Sequence, residues 1–183
     1  MKQIILSFVM LFTMSNYGLL AQEVQEPDFI GESLLVLDQT TVPLDKEYAR
    51  FKSGVSFAHN SWNARSLYID GKAANCRTKE GNINLIVKAA DNNSDPMSVI
   101  IIYKLKSNTK RRTVTLSADN SDQLFHSSKT FTKDMMKYSG KKYGESSYLI
   151  TTNLKAGEYA ILVKNPNNVD EKSAVLSCIG VDK

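Results

Sequence analysis

The sequence is short of the residues that define several protein classes. Cys76 and Cys178 are the only cysteines among 183 residues, too few for a disulfide scaffold. Nine glycines and four prolines exclude a fibrous or low-complexity chain. His59 and His126 are the only histidines, and Trp62 is the only tryptophan. Neither histidine has a second catalytic element in view. There is no G-x-S-x-G elbow, no H-E-x-x-H pair and no glycine-rich loop before G-K-[ST]. Ser61 beside His59, and Ser127 and Ser128 beside His126, are chain neighbours, whereas a triad is assembled in space from separate elements. Cysteine or histidine pairs at zinc-ligand spacing are also missing. After the N-terminus, the longest apolar run is Val99–Tyr103, a strand's length and far short of a bilayer span.

What remains is 42% hydrophobic and 23% charged, a composition that builds a core and is incompatible with disorder. Residues 1–22 read as a secretory signal. Lys2 is the basic start, Ile4–Phe12 the apolar stretch, and Gly18 and Ala21 are small residues near a cleavage point. Residues 23–32 form an acidic, extended lead-in containing Pro27, and residues 33–183 form a single domain. Export to the periplasm, cell surface or medium follows. It favours a bridge between Cys76 and Cys178, set against two thiols that are simply small core residues.

The domain reads as β-rich. Ser33–Leu37 is a first strand, and Val42–Glu47 returns along an edge, with Pro43 limiting its hydrogen bonding. A weaker stretch covers Phe51–His59. Ser66–Ile69 alternates, and Asp70-Gly71 predicts a hairpin whose second strand is Lys72–Arg77. Ile83, Leu85, Val87 and Ala89 share one face. Met97–Leu105 is apolar enough to need cover on both faces, hence central. Val114 and Leu116 point inward from the next strand, and Ser147–Thr151, Glu158–Lys164 and Ala174–Ile179 complete the set. A short helical turn is expected at Lys133–Lys137, with Thr132 as its cap. The sum is an all-β, antiparallel, Greek-key sandwich with one helical turn. An up-and-down barrel is the alternative, and the long Asp119–Glu145 excursion weighs against it.

Leu154-Lys155-Ala156-Gly157-Glu158-Tyr159 resembles the tyrosine corner of immunoglobulin-like sandwiches. The resemblance implies that Tyr159 bonds backward to the backbone, that Leu154 packs beneath it and that Gly157 makes the turn. The chain is also similar to a set of exported proteins of unassigned function from Gram-negative bacteria. The similar phrases are Pro27–Glu32, Asp95-Pro96, Lys110–Arg112, Gly157–Ile161 and Ser177–Asp182. That resemblance implies a compact β-domain and carries no catalytic residue with it.

Charge is unevenly distributed. The formal balance is +4, from 23 basic and 19 acidic residues. Lys104, Lys106, Lys110, Arg111, Arg112, Lys129, Lys133, Lys137, Lys141 and Lys142 crowd one segment, opposed there only by Asp119, Asp122 and Asp134. Lys104, Lys106, Lys110, Arg111, Arg112, Lys137, Lys141 and Lys142 are candidate contacts for an anionic partner. The competing reading is a strand edge protected by lysine against sheet-to-sheet pairing. Asp91–Asp95 is oxygen-rich and reads either as a calcium loop or as a polar turn. Trp62 reads either as a sugar-stacking residue or as a core anchor.

The expectation is therefore an exported, non-catalytic binding or scaffolding module of the bacterial envelope. It meets a protein or a glycan, uses no cofactor, metal or nucleic acid, and has no membrane span after the signal. A small carbohydrate-active or other hydrolytic enzyme with paired carboxylates is one alternative, and a structural subunit of a surface assembly is another.

Overall fold

Period-two alternation and turn residues break the chain into short strands, and a computed structural model gives their arrangement for residues 25–38, 40–55, 62–122, 125–130, 132–167 and 172–183. The strands are β1 (Ser33–Leu37), β2 (Thr40–Pro43), β3 (Asp45–Val55), β4 (Trp62–Asp70), β5 (Arg77–Lys79), β6 (Gly81–Lys88), β7 (Ile100–Ser107), β8 (Arg111–Asp122), β9 (Phe125–Thr130), β10 (Ser139–Tyr143), β11 (Ser147–Leu154), β12 (Gly157–Val163) and β13 (Ser173–Asp182). One helical turn, α1 (Pro96–Val99), precedes β7. The predicted signal at 1–22 and His59 lie outside the described residues, as do the side chains of Trp62, His126 and Lys129. Among the described residues no helix is long and apolar enough to cross a membrane.

Among the described residues the strands form two antiparallel sheets with a single parallel pairing, β5 on β13. The smaller runs β10-β11-β6-β1-β2. The larger runs β12-β7-β8-β4-β3-β13, and β12 also pairs with β13, so these six strands close into a barrel. Closure is weakest between β7 and β8, which share only the pairs Lys106–Thr113 and Ser107–Arg112. Residues 134–136 fill the gap beside β7. Lys104 N donates to Asp134 O, Met136 N donates to Ile102 O, and Tyr103 bridges Met135.

The central part of the wall formed by β7, β12 and β13 is buried on both faces. Ile100, Ile102, Tyr159, Ile161, Ile179 and Val181 face the smaller sheet, meeting Leu35, Ile83, Leu85, Val87, Tyr148 and Ile150. Tyr103, Leu105, Ala160, Leu176 and Cys178 face the barrel interior with Ala49, Leu67, Ile69 and Val114. Double cover explains why Ile100–Tyr103 is apolar without alternation. Small side chains at Ala49, Ala74, Ala160 and Ala174 suit a narrow six-stranded lumen.

One end of the barrel is closed by charge. Arg112 is 1% exposed, and its aliphatic stem lies in the lumen. Its Nε donates to Gly71 O at 3.2 Å, and Nη2 donates to Asp70 O and to Glu47 Oε2. Nη1 lies 3.9 Å from Glu158 Oε2. Glu158 in turn accepts from Ala74 N and Arg77 Nη1, both at 2.8 Å, and Arg77 reaches Asp182 through Nε and Nη2. Asp45 accepts from Asn75 N and Cys76 N. The loop 71–76 is thereby folded over the barrel mouth as a plug, with Ala74 inserted into the core.

Several expectations are corrected. Asp70-Gly71 does turn the chain, with Gly71 at φ 88°, but the following residues do not return beside β4, because β3 and β8 already occupy both of its edges. Lys72–Arg77 is mostly the plug loop, and β5 pairs with β13 instead. The helical turn is at Pro96–Val99, not Lys133–Lys137. Asp95 caps it by accepting from Met97 N at 2.8 Å, and Pro96 opens it. Around Thr132 there is only a turn, Met135 N to Thr132 O. The Val42–Glu47 strand is split, β2 ending at Pro43 on the sheet edge and β3 beginning at Asp45. No bridge joins Cys76 and Cys178, and both sulfurs are free. Cys178 faces the lumen, whereas Cys76 packs against the cluster between the sheets, so the two thiols are on opposite sides of the wall.

At the β11–β12 turn, Tyr159 Oη donates to Lys155 O at 2.7 Å, and Leu154 and Tyr159 are fully buried. Gly157 adopts φ 155°, and a Cβ there would sit 3.2 Å from Lys104 Cε. Tyr159→Phe removes one buried hydrogen bond and is expected to cost about 1 kcal/mol in a urea melt. Arg112→Ala leaves Glu47 at the barrel mouth without its guanidinium and Glu158 with Arg77 alone. Its expected cost is about 3–5 kcal/mol, read as a lower urea midpoint.

Candidate binding groove

Tyr48 is the starting point, because a tyrosine 79% exposed on a well-paired strand is poorly accounted for by packing. It lies on β3, whose alternation divides two duties. Glu47, Ala49 and Phe51 point into the barrel, and Lys46, Tyr48, Arg50 and Lys52 point out. Beside Tyr48 in register is Val175 of β13, also exposed. Phe29, 66% exposed, comes from the lead-in. These three side chains line one open groove of about 520 Å³. Its floor includes Leu162, Val163 and Ala174, and Asn165 and Asn167 stand at its β12 end. Its described lining holds no carboxylate and no imidazole.

Phe29 is held in place by the lead-in, which is docked and not merely extended. A tight turn spans Phe29–Glu32, with Glu32 N donating to Phe29 O and Phe29 N to Glu32 Oε2. Gly31 N donates to Lys88 O, and Ser177 Oγ donates to Gly31 O at 2.8 Å. Lys46 pairs with Glu32 and lies 5.4 Å from the Phe29 ring centroid. Upstream, Glu26 accepts from Ser147 Oγ and Glu145 N at 2.5 Å and from Lys88 Nζ at 3.2 Å. Gly144 is required beside it: φ is 53°, and a Cβ would collide with the Glu26 carboxylate.

A second group of outward side chains continues from Tyr48. Arg50 holds Asp70 through both carboxylate oxygens, at 2.6 and 2.7 Å. Its cross-strand neighbour is Tyr68 of β4. Lys52 Nζ lies 5.7 Å and Arg111 Cζ 5.1 Å from the Tyr68 ring centroid.

The basic segment is not gathered into one patch. Lys104 and Lys106 are exposed on β7, Lys110 and Arg111 lie at the β7–β8 turn, Lys137 precedes β10, and Lys141 and Lys142 are on that edge strand of the smaller sheet. Lys104 Nζ is 6.0 Å from the Tyr159 ring, and Lys142 bonds Asn93 Oδ1. Arg112 is corrected outright, since its side chain is inside the barrel and meets no external partner. Of that set Arg111 joins the outward group around Tyr68. In the Asp91–Asp95 loop, Asn92 is buried and donates to Gly144 O and Ser147 O, while Asp91 and Asp95 accept from backbone amides. Among the described residues no cluster of His, Cys, Asp or Glu is placed to hold a metal.

Sequence reading missed Phe29, Tyr48, Asn165, Arg50, Lys52 and Tyr68. The available signal was the alternation Lys46, Tyr48, Arg50, Lys52, hidden because the stretch was divided at Glu47. The groove itself joins positions more than a hundred residues apart and has no local signature.

Burial pushes the Glu26 carboxyl up, but the hydrogen bonds from Ser147, Glu145, Lys88 and Ser146 outweigh it and bring the pKa down to about 2. Because the folded value lies below the free value of 4.5, the stabilisation is complete above that pH and is lost as pH falls towards 2. Melting temperature should fall over that window, and Glu26→Gln should flatten the fall while lowering the temperature at neutral pH.

No family model, no curated protein and no solved structure matches the chain.

Proposed function

We propose that the protein is an exported, non-catalytic binding module of the bacterial cell envelope and that a glycan is its partner. The observation that carries this reading is the convergence of Phe29, Tyr48 and Val175 on an open groove bordered by Asn165 and Asn167. Exposed aromatic rings offer flat apolar faces to the C–H face of a sugar, and carboxamides offer both donors and acceptors to its hydroxyls. Three exposed hydrophobic side chains meeting in one concave site are also more than the scattered exposure usual on a protein surface. Among the described residues the lining combines aromatic, aliphatic and carboxamide side chains with Lys46, a set suited to retaining a ligand.

An immunoglobulin-like kinship belongs to the same reading. The Tyr159–Lys155 hydrogen bond at a strand-to-strand crossover supports it, and ring closure of the larger sheet sets this chain apart from an open sandwich.

The test is a glycan array probed with the chain lacking residues 1–22, followed by titration calorimetry on the best ligand. Tyr48→Ala should weaken binding about tenfold with an unchanged melting temperature. Retention of full affinity by Tyr48→Ala and Phe29→Ala would remove the groove from the account.

A further inference from the structure

The outward face of β3 does not end at the groove. Tyr48, Arg50 and Lys52 are successive outward positions, so the row from Tyr48 to Lys52 covers about 13 Å of strand. It leads to Tyr68, with Arg111 on the far side. Two cations of this row are spent: Lys46 on Glu32 and Arg50 on Asp70. Lys52 and Arg111 are different. Among the described residues neither is paired with a carboxylate, and each lies over the ring of Tyr68. The ring thus steadies two cations whose charge still faces solvent.

We infer that the ligand is an acidic polysaccharide, running from the Tyr48 groove along β3 so that its carboxylates meet Lys52 and Arg111. This rests on the glycan reading above and adds the charge of the ligand to it. Charge complementarity argues for an anion. The placement of the cations argues against nucleic acid, because a base would need the Tyr68 faces on which Lys52 and Arg111 already lie. A carboxylate needs only the cations, and Arg111 presents a planar fork suited to it. The apolar aromatic contact is supplied separately, farther back along β3, by Tyr48. A chain of sugar rings each bearing a carboxylate offers both kinds of contact in alternation.

Polygalacturonate and its fully methyl-esterified form separate the two readings, since they share a backbone and differ in charge. The expected result is retention of polygalacturonate in affinity electrophoresis at low salt, weakening as salt rises. The Lys52→Gln/Arg111→Gln protein should bind it roughly tenfold more weakly, with an unchanged melting temperature. The esterified polymer should bind more weakly than the acid form, through Tyr48 alone. Equal binding of both polymers, or full affinity in the double variant, would overturn the inference while Tyr48-dependent glycan binding stood. Retention of neither polymer would also overturn it, and a Tyr48-dependent neutral glycan on the array would then still support the groove. Equal retention by duplex DNA or phosphatidylglycerol vesicles, with the same dependence on Lys52 and Arg111, would make the face a general anion surface and overturn the claim for a polysaccharide.

Discussion

The structure depends on one wall having no free face. The central stretches of β7, β12 and β13 must be covered by the smaller sheet on one side and by the barrel on the other, because both sets of their side chains are largely apolar. That requirement explains the architecture. A simple two-sheet stack would leave the second face of this wall exposed to water, at a cost of roughly 25 cal/mol for each Å² of apolar surface. Curling β8, β4 and β3 round to meet β13 supplies the missing cover. The lumen so formed is narrow, which is why alanines and Cys178 line it. Burial pushes the Cys178 thiol up to about 12, so it behaves as a small core residue and not as a nucleophile.

A closed barrel has two mouths, and one is stoppered by polar side chains. Arg112 cannot be buried there alone, so Glu47, Glu158 and two backbone carbonyls surround it, and Arg77 and Asp182 complete the chain of charges. The same carboxylates collect backbone amides of the plug loop. Pairing the charge and closing the barrel are therefore one event. It follows that the basic run at Lys110–Arg112 is divided, two residues serving the surface and the third the interior.

Much of the fold was legible in the sequence. The alternation in β6 and β8, the double cover of β7 and the edge position of Pro43 follow from local pattern, and the structure has them. Closure was not legible, because it depends on β13 pairing with β3 more than a hundred residues earlier while also pairing with β12. The helix was written plainly in Asp95-Pro96, a cap followed by a proline at the first helical position. It was obscured by the strong strand signal immediately after. The groove was illegible for a different reason. Its parts come from the lead-in, β3, the β12 end and β13, and each part alone looks like an ordinary exposed residue.

The alternation of β3 has a further consequence. One strand encodes two incompatible surfaces in interleaved positions, the stopper and lumen at Glu47, Ala49 and Phe51, and the outer strip at Lys46, Tyr48, Arg50 and Lys52. A single-residue insertion or deletion within it would exchange the two, driving four polar or aromatic side chains inward and turning the barrel's own lining out. The strip can thus vary by substitution but not by change of length.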